Sequence, residues 1–244
     1  MELWQREEQI CFEDCVFADE HVAEDVRDFL SPACTDNLLL WGPPGTGKSA
    51  VVRAVAYERF GTTELHEEGV DVLDCKNKRD AQRIDGKWLD GWYNFAHFNS
   101  DCPVLILDEL DELTEGQQRE LTAFVNRTNL GSLRSMILAT TNVDLRDNKA
   151  RAKHFSAALL SRFNVKLEMR MLHPLQLVPL VQKKLATAGL SFDDDTLLAL
   201  LEKHLQVGST TMDFRQVQTL VNRLIRRASE QKPSEDNKPR LKLV

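Results

Sequence analysis

The chain has 244 residues, of which 42% are apolar, and a formal net charge of −7. This length allows one large buried core, or one core and a small second domain. The negative charge argues against a protein that wraps nucleic acid over its whole surface, although it leaves room for a local basic patch. No apolar stretch approaches the roughly 20 residues of a membrane helix, and the first residues do not resemble a signal peptide, so we expect a cytoplasmic protein without membrane contact.

The cysteine pattern argues against two kinds of small fold. Cys11, Cys15, Cys34, Cys75 and Cys102 are an odd number and lack paired CxxC spacing. The pattern therefore supports neither a disulfide framework nor a zinc module. We expect reduced thiols, most of them packing residues.

The first predicted element is a lead-in helix. Apolar residues lie at helical spacing between residues 12 and 30, and this pattern ends at Ser31-Pro32. Leu38–Trp41 then predicts a buried strand, and the residues from Ala50 onward predict a second helix. A glycine-rich run lies between them, so the order along the chain is strand, loop and helix.

The glycine-rich run is typical of a loop that binds nucleotide phosphates. Backbone N–H groups and the positive end of the following helix converge there on an anion, and glycine lacks the Cβ that would block its approach. We expect Lys48 to reach the β and γ phosphates of a nucleoside triphosphate, and the Ser49 hydroxyl to coordinate Mg²⁺. A Gly/Pro turn entering a buried helix is the alternative. The predicted nucleotide-binding residues are Gly42, Pro43, Pro44, Gly45, Thr46, Gly47, Lys48, Ser49 and Ala50.

A second strand, a basic run and an aromatic helix follow. Residues 70–73 predict a short strand, directly before five cations that we call the basic run. In the helix beyond, Trp88, Trp92 and Phe95 fall at i, i+4 and i+7, which favours a core face over a binding site. The basic run consists of Lys76, Lys78, Arg79, Arg83 and Lys87.

Two carboxylates end the third predicted strand. Residues 104–107 are a continuous apolar run, as in a central parallel strand that is buried on both faces. Open parallel sheets bind ligands at the carboxyl ends of their strands. We therefore expect Asp108 near the Mg²⁺ and Glu109 beside the γ-phosphate, where it activates the attacking water. The alternative, a solvated acidic run, is assigned only to Asp111 and Glu112.

The remaining elements complete an α/β domain and add a helical one. Residues 114–117 have capping-box spacing ahead of a helix that carries Leu121, Phe124 and Val125 inward. Residues 136–140 and 165–169 predict the last two strands. Beyond His173-Pro174 the pattern predicts helices only, at 175–188, 196–204 and 213–229. We expect an α/β nucleotide-binding domain over 1–170, an all-α lid domain over 171–230 and a polar, flexible tail over 231–244.

One motif suggests a different class of protein. Asn77-Lys78-Arg79-Asp80 matches the Asn-Lys-x-Asp motif that reads guanine, and it follows a strand, so a GTP-dependent switch is an alternative function. In such GTPases the motif lies downstream of the strand with the metal-binding Asp, whereas here it precedes Asp108. No Asp-x-x-Gly follows that strand either, so the order of the motifs favours ATP.

Between residues 12 and 227 the chain resembles the AAA+ ATPases. Besides the phosphate loop and Asp108-Glu109, a polar residue ends the next strand, and two later arginines follow in the family's order. By this resemblance Asn142 is sensor 1, Arg162 the arginine finger and Arg215 sensor 2. The resemblance implies a P-loop NTPase fold with a five-stranded parallel sheet, flanking helices and a helical lid. It also implies a ring or spiral of about five to seven identical or different subunits, with ATP and Mg²⁺ at their interfaces.

Two of these three assignments have an alternative, and the third has a physical argument of its own. Asn142 could instead cap the turn that follows its strand, and other arginines could serve as the finger. Arg215 lies in the first turn of a predicted helix, where a cation is unfavourable beside the helix dipole unless an anion draws it there. A nucleotide phosphate is such an anion. The rivals of Arg162 are Arg146, Arg151 and Arg170.

Within the family, the chain is most similar to the clamp-loader branch, of the replication factor C small subunit type. Residues 12–22 resemble the segment with which those subunits begin the adenine pocket, which assigns Val16 and Phe17 to nucleotide binding. Ser161-Arg162 lies where those subunits carry Ser-Arg-Cys, but Phe163 replaces the cysteine. Thr122-Ala123 also stand where many of them have paired basic residues. The sequence ends after the lid, so we expect a protein without the collar domain of those subunits.

These features predict an ATPase that loads or remodels a DNA-associated machine together with an unknown protein partner, as a clamp loader or helicase loader does. A protein-remodelling ring without direct DNA contact is the alternative. The basic run discriminates between them, because in AAA+ rings the loop after the second strand tends to face the central channel, where cations suit a phosphate backbone. A solvated helix entry is the other interpretation of that run.

Overall fold

A computed structural model describes residues 11–61, 69–98, 100–129, 134–205 and 209–231. The chain divides into two compact units, Gln9–Met171 and a second unit that begins at Leu172. The tail predicted over 231–244 lies outside the described residues except for Gln231, the last residue of a helix. In the ranges that the structure describes, no helix is both long enough and apolar enough to cross a membrane.

Five parallel strands form the centre of the first unit, which confirms the predicted sheet. Their order across the sheet is β2-β3-β4-β1-β5, with each neighbouring pair parallel. The carboxyl ends of β1, β3 and β4 therefore lie at the same edge of the sheet. The strands are β1 (Leu38–Trp41), β2 (Val70–Asp74), β3 (Val104–Asp108), β4 (Met136–Thr141) and β5 (Val165–Glu168).

Alternating side chains of the inner strands fill two cores on opposite faces of the sheet. Leu39 and Trp41 of β1 belong to one core, which contains the apolar residues of the aromatic helix and of the helices after β3 and β4. Leu38 and Leu40 belong to the other core, which contains the lead-in segment and the helix after β1. The period of two along a strand produces this division, and burial on both faces explains why the inner strands are continuously apolar.

In the described part of the first unit, seven helices flank the sheet. The lead-in helix is shorter than predicted, because Asp19 caps a new helix by accepting a hydrogen bond from the His21 N–H at 3.0 Å. Three-residue 3₁₀ turns lie on either side of it, at Phe12–Asp14 and Asp28–Leu30. The helices are α1 (Glu20–Arg27), α2 (Lys48–Phe60), α3 (Lys78–Gln82), α4 (Gly86–Ala96), α5 (Glu115–Asn129), α6 (Asn148–His154) and α7 (Ala157–Leu160).

The predicted capping box of α5 is confirmed, whereas the predicted core face of α4 is partly wrong. The capping box before α5 is confirmed, since the Thr114 N–H donates to the Gln117 side chain at 2.9 Å and the Gln117 N–H donates back to Thr114 Oγ1 at 3.4 Å. The predicted core face of α4 is wrong at Phe95, which is 63% exposed. The buried residues of α4 are Leu89, Trp92 and Ala96, at i, i+3 and i+7, so the core face keeps Trp92 but is shifted by about one position elsewhere.

The second unit is helical, as predicted. Apart from one isolated antiparallel bridge between Leu172 and Met212, its described residues form helices and connections. His173 caps the first of these helices in a capping box with Gln176. The helices are α8 (Pro174–Thr187), α9 (Asp194–Lys203) and α10 (Phe214–Gln231).

Candidate functional site

The loop between β1 and α2 is shaped by glycine. Gly42 has φ 141°, and a Cβ there would lie 2.1 Å from the Met169 carbonyl oxygen, so no other residue fits without moving the backbone. Gly45 and Gly47 also have positive φ. The loop delivers the chain into α2, a helix of 13 residues whose first N–H groups have no partner within the helix. This backbone geometry agrees with the anion cradle that the sequence predicts, and its role in binding phosphate stays a prediction.

Lys48 folds back over this loop. Its ammonium group donates hydrogen bonds to the carbonyl oxygens of Gly42 at 2.8 Å and Pro43 at 2.7 Å, and only 6% of the residue is exposed. The Thr46 hydroxyl donates to the Pro43 carbonyl at 3.0 Å and so braces the same turn. The structure thus holds a cation within the loop, where it would meet a bound phosphate.

Ser49, Asp108 and Thr140 converge at the carboxyl edge of the sheet. The Ser49 hydroxyl donates to Asp108 Oδ1 at 2.7 Å, and the Thr140 hydroxyl donates to the same oxygen. A hydroxyl and a carboxylate are suitable ligands for Mg²⁺. Among the described residues no group of three or more His, Cys, Asp or Glu could hold a metal. The remaining positions around such an ion would fall to water and phosphate oxygens, which is usual for Mg²⁺.

Glu109 has an unusual backbone conformation. Its φ of 54° and ψ of 53° are left-handed, and in the described ranges no other non-glycine residue has positive φ. Its N–H donates to Thr140 Oγ1 at 3.1 Å, and Oε2 lies 3.5 Å from the Lys76 ammonium. Backbone strain of this kind concentrates at functional sites, where the surroundings must enforce it.

The sequence analysis missed two residues whose side chains contact Asp108 or Glu109. They are Thr140 and Lys76. A pair of threonines at the end of an apolar strand was the available signal for Thr140. Lys76 was assigned to the basic run, although it directly follows the strand next to the carboxylates.

The structure corrects the sequence analysis at Asp111, which was expected to be a solvated acid. It accepts a hydrogen bond from the Thr141 hydroxyl at 2.7 Å and one from the Asn142 N–H at 3.3 Å. The Leu110–Glu112 3₁₀ turn directs this carboxylate back toward the end of β4. Glu112 is exposed, as expected.

Negative charge is concentrated beneath the site. The Cys75 N–H donates to the Asp108 carbonyl at 2.9 Å, and the Cys75 side chain is buried. Burial raises the pKa of the Cys75 thiol, and the carboxylates of Asp108 and Asp74 raise that pKa further. The same carboxylates favour a bound cation.

Asn142 directly follows β4, next to the strand that carries Asp108 and Glu109. It is exposed and lies at the same edge of the sheet as the phosphate loop. This position agrees with the one that the sequence analysis used, and the sensor role of Asn142 stays a prediction.

Arg162 lies at the opposite end of the strands, where β1 and β5 begin. It follows α7 and precedes β5, and its carbonyl accepts a hydrogen bond at 2.9 Å from the side chain of Asn37, the residue before β1. The phosphate loop follows the other end of β1, so this arginine lies away from its own cradle. Its Nε is buried and has no hydrogen-bond partner in the described part of the chain.

Two of the rival arginines are held by carboxylates, and the third by a backbone carbonyl. Arg146 pairs with Asp144 at 3.0 Å and Glu168 at 3.1 Å, and its hydrogen bonds hold the pKa of Asp144 below the ordinary value. Arg170 pairs with Glu168 at 2.9 Å. Arg151 donates to a backbone carbonyl, that of Leu145, at 3.3 Å. Because the side chains of Arg146 and Arg170 are 63% and 59% exposed, their ion pairs are weak, and the finger role of Arg162 stays a prediction.

The other residues predicted to contact the nucleotide, Arg215, Val16 and Phe17, lie outside the phosphate loop and the strands. Arg215 is exposed in the first turn of α10, in the second unit, and its role stays a prediction. Val16 and Phe17 lie in the extended segment before α1, where the Phe17 ring packs 5.7 Å from that of Phe12. The Phe12 N–H donates to Glu58 of α2 at 2.7 Å, which ties this segment to the helix that begins at the phosphate loop.

Two members of the basic run have structural contacts. Lys76 pairs with Glu109, as described above. Arg83 donates to Asp71 Oδ2 at 3.0 Å and lies over the Trp88 ring at 4.4 Å. The remaining cations, Lys78, Arg79 and Lys87, are exposed.

Comparison with known families gives one match over most of the first unit. The family model described as "ATPase family associated with various cellular activities (AAA)" matches residues 38–171, more than half of the chain. The matched region contains the phosphate loop, Asp108-Glu109, Asn142 and Arg162.

Curated relatives are named as replication proteins. Human replication factor C subunit 4 is 35% identical over 125 residues, which cover 46% of this chain and 32% of that protein. Saccharomyces cerevisiae replication factor C subunit 3 is 29% identical over 114 residues, covering 47% and 33%. The chain thus matches about a third of the length of these relatives.

Solved structures share the fold at low sequence identity. Domain III of the Thermotoga maritima replication initiation protein DnaA has a TM-score of 0.68 at 15% identity, covering 94% of this chain and 93% of that one. The Thermotoga maritima RuvB Holliday junction branch migration motor has a TM-score of 0.60 at 17% identity, covering 88% and 62%.

Proposed function

The chain belongs to the ATPase family associated with various cellular activities (AAA), and from this premise we propose that it is an oligomeric AAA+ ATPase that uses ATP hydrolysis to load or remodel a DNA-associated machine. The convergence of Ser49 and Thr140 on one oxygen of Asp108, beside a glycine loop that contains Lys48, carries the proposal. These are the groups that nucleotide and Mg²⁺ require at the carboxyl edge of a parallel sheet.

The loop residues bind and orient the nucleotide. The Lys48 ammonium exchanges its contacts with the loop carbonyls for contacts with phosphate oxygens, and the N–H groups at the start of α2 hold the rest of the anion. Ser49 and Asp108 would hold a Mg²⁺ ion, and Thr140 fixes the Asp108 carboxylate. Bound Mg²⁺ supplies positive charge that stabilises the charge developing on the phosphoryl oxygens.

Glu109 accepts a proton from the attacking water. Its left-handed backbone and the hydrogen bond from its N–H to Thr140 fix the start of its side chain. Asn142 follows the neighbouring strand and is assigned to orienting the same water. Binding and water activation therefore depend on different residues, so they should be separable by mutation.

Arg162 serves a neighbouring subunit. It lies at the edge of the sheet opposite its own phosphate loop, and it stands where the family resemblance places the finger. A guanidinium that reaches a neighbour's γ-phosphate only in an assembly would couple hydrolysis to assembly, and such a residue is worth about 10³–10⁵ in rate. We therefore propose a ring or spiral of about five to seven subunits, with Arg215 as a second cation near the nucleotide.

The names of the relatives favour a role in DNA replication, and a protein-remodelling ring without DNA contact is the second candidate. The exposed cations Lys78, Arg79 and Lys87 support the first. A GTP-dependent switch is disfavoured, because the Asn77 side chain caps α3 by accepting a hydrogen bond from the Arg79 N–H at 3.0 Å. This contact explains the Asn-Lys-x-Asp sequence as a helix start.

The test is ATP binding and turnover, measured with and without primed DNA. Lys48→Ala should abolish binding, whereas Glu109→Gln should bind ATP with wild-type affinity and lose turnover by at least about 100-fold. Glu112→Gln is the matched control, since Glu112 is exposed, and it should behave as wild type. Comparable turnover by Glu109→Gln and wild type, or tighter binding of GTP than of ATP, would refute the assignment.

A further inference from the structure

Helix α10 of the second unit presents a row of arginines to solvent. From Phe214 to Arg227 the chain contains four arginines and no carboxylate, although its net charge is −7. Arg215, at the start of the helix, is assigned to the nucleotide. The other exposed residues of α10 in this range form what we call the arginine face, and they are Thr219, Arg223, Arg226 and Arg227.

The arginine face is one side of the helix. Its residues lie at i, i+4, i+7 and i+8, which is the spacing of a single helical stripe. At a rise of about 1.5 Å per residue, the stripe is about 12 Å long. The buried residues of α10 occupy the other side of the helix, and they are Val217, Leu220 and Val221. This packing fixes the direction in which the arginines point.

Arg223 is held on this face by a neutral partner. Its guanidinium lies 3.3 Å from His204 Nε2, and His204 Nδ1 lies 2.8 Å from the Leu200 carbonyl oxygen. Because a carbonyl only accepts, Nδ1 carries the ring proton, and Nε2 accepts a hydrogen bond from the arginine. A neutral imidazole orients the guanidinium but does not compensate its charge. The positive charge therefore stays available to an external anion.

The composition of the arginine face favours nucleic acid over a protein partner. Specific protein interfaces have an apolar or aromatic centre inside a polar rim. Between residues 214 and 228 no aliphatic or aromatic residue of α10 is exposed, so the face offers no such centre. Guanidinium groups instead bind phosphate through two parallel hydrogen bonds, and a row of them suits a phosphate backbone.

The same face favours duplex over single-stranded DNA. Proteins that bind single strands stack the bases on aromatic side chains, which the exposed residues of α10 between 214 and 228 do not include. A helix with its side chains is about 10–12 Å wide, and the major groove of a duplex is about 12 Å wide. Asn222, half-buried beside Arg223, adds an amide that can donate to phosphates and pair with base edges.

We propose that the arginine face of α10 binds duplex DNA by lying in the major groove, with its guanidinium groups on the phosphates. This inference rests on the DNA role in the proposed function and adds a second binding surface to it. The basic run belongs to the first unit, whereas the arginine face belongs to the second. Each surface neutralises its own phosphates, so each contributes its own share of the salt dependence of binding.

Charge reversal tests the proposal. The reversed variant is Arg223→Glu with Arg227→Glu, and the conservative variant is Arg223→Lys with Arg227→Lys. Arg227→Glu alone is a second reversal that leaves the contact of Arg223 with His204 intact. The matched control, Lys149→Glu with Lys153→Glu, changes the net charge equally at two exposed residues of α6 in the first unit.

The measurement is fluorescence anisotropy at several salt concentrations. The probes are a blunt-ended duplex, a single strand of the same sequence and poly-glutamate, and thermal melting checks that each variant folds. Wild type should bind the duplex at least about threefold more tightly than the single strand.

The reversed variant should bind the duplex at least about tenfold more weakly than the control and lower the salt slope by about 1.5–2, because two phosphate contacts are lost. Arg227→Glu alone should lower the slope by about 0.9. The conservative variant should stay within about threefold of wild type, because lysine keeps a phosphate contact as a point charge. Adding Lys78→Glu and Arg79→Glu to the reversed variant should lower the slope by about 3–4 in total.

Folded reversed variants with the duplex affinity and salt slope of the control would overturn the proposal, as would a wild-type chain that binds the single strand more tightly than the duplex. Loss of poly-glutamate binding with unchanged duplex binding would assign the face to an acidic protein and overturn it as well.

ATP turnover without DNA is recorded in parallel, and the reversed variant should retain it, since neither altered arginine is assigned to the nucleotide. Turnover together with DNA binding that does not depend on the arginine face would leave the proposed function standing and refute this inference. Face-dependent duplex binding without turnover would do the reverse.

Discussion

The Lys76 ammonium lies 3.5 Å from the carboxylate of Glu109, so the proposed proton acceptor is already paired with a cation. The two residues follow neighbouring strands, β2 and β3, whose last residues Asp74 and Asp108 are paired in register. The Lys76 side chain is 67% exposed, so the pair is accessible to water and weak. A weak pair can separate during the reaction.

Replacing Lys76 with methionine should raise ATP turnover. The ammonium competes with the attacking water for the Glu109 carboxylate, because the two side chains form an ion pair at 3.5 Å. Its removal should increase kcat by roughly 3- to 10-fold with little change in ATP affinity. Steady-state kinetics check this, with Lys78→Met as the control because Lys78 is an exposed cation two residues away. A kcat equal to or below that of wild type would show that the pair does not restrain Glu109.

Two inactive variants should restore each other's activity when mixed. Arg162→Ala should bind ATP but hydrolyse it poorly, and Lys48→Ala should fail to bind it. In a mixed assembly, some interfaces pair an intact phosphate loop with an intact arginine, so turnover should return to a fraction of wild type. A mixture of confirmed mass that stays inactive would exclude Arg162 as a finger acting on a neighbour.

The basic run should divide into DNA-binding and structural cations. Lys78→Glu with Arg79→Glu should weaken DNA binding and lower the salt slope by about 1.5–2, with an unchanged melting temperature. Arg83→Ala should instead destabilise the fold by about 1–3 kcal/mol, because it leaves Asp71, a buried residue, without its arginine. Unchanged DNA affinity and salt slope for the double variant would favour the protein-remodelling function.

Two glycine substitutions should have opposite effects. Gly42→Ala should lower the free energy of unfolding by at least about 3 kcal/mol, because the new Cβ collides with the Met169 carbonyl oxygen at a φ of 141°. Gly91→Ala, in α4, meets no atom within 4 Å and should raise that free energy by about 0.5–1 kcal/mol. Urea unfolding measures both. A Gly42→Ala protein as stable as wild type would mean that the loop can move away from Met169.

Stability should fall at alkaline pH through Cys15. Burial raises the pKa of this thiol to about 12 from 9.0, and the carboxylates of Asp14 and Glu58 contribute. Between these values the unfolded chain loses the proton while the folded chain retains it, so the free energy of unfolding decreases as pH rises from about 9 toward 12. Cys15→Ser should reduce this pH dependence, as measured by urea unfolding between pH of about 8 and 10.5. Identical slopes for both proteins would contradict the assignment.

The strands were the most predictable part of the fold. Four or more consecutive apolar residues between turn signals are typical of a strand buried on both faces, and β1 and β3 show this pattern directly. The lead-in helix was predicted too long because helical spacing does not register a cap such as Asp19. Phe95 was misplaced because apolar residues in α4 fit more than one helical face, and the buried face contains Leu89, Trp92 and Ala96.

In the site, residues carried by the loop motif were predictable, and contacts between distant elements were not. The glycine loop contains its own signal, since the spacing of Gly42, Gly47 and Lys48 fixes the phosphate-binding geometry. The contacts of Thr140 with Asp108 and of Lys76 with Glu109 depend on the strand order, which places β4 and β2 on either side of β3. No local pattern encodes that order.

The left-handed backbone at Glu109 lowers the stability of the fold at the same residue that the proposed activity requires. A non-glycine residue in this conformation costs about 1 kcal/mol or more, which glycine would not incur. Under selection for thermal robustness alone, Glu109→Gly would be a gain, and it would remove the proton acceptor while leaving the phosphate loop intact. A descendant altered in this way would still respond to ATP by binding it, so a motor could become a nucleotide-gated scaffold by one substitution.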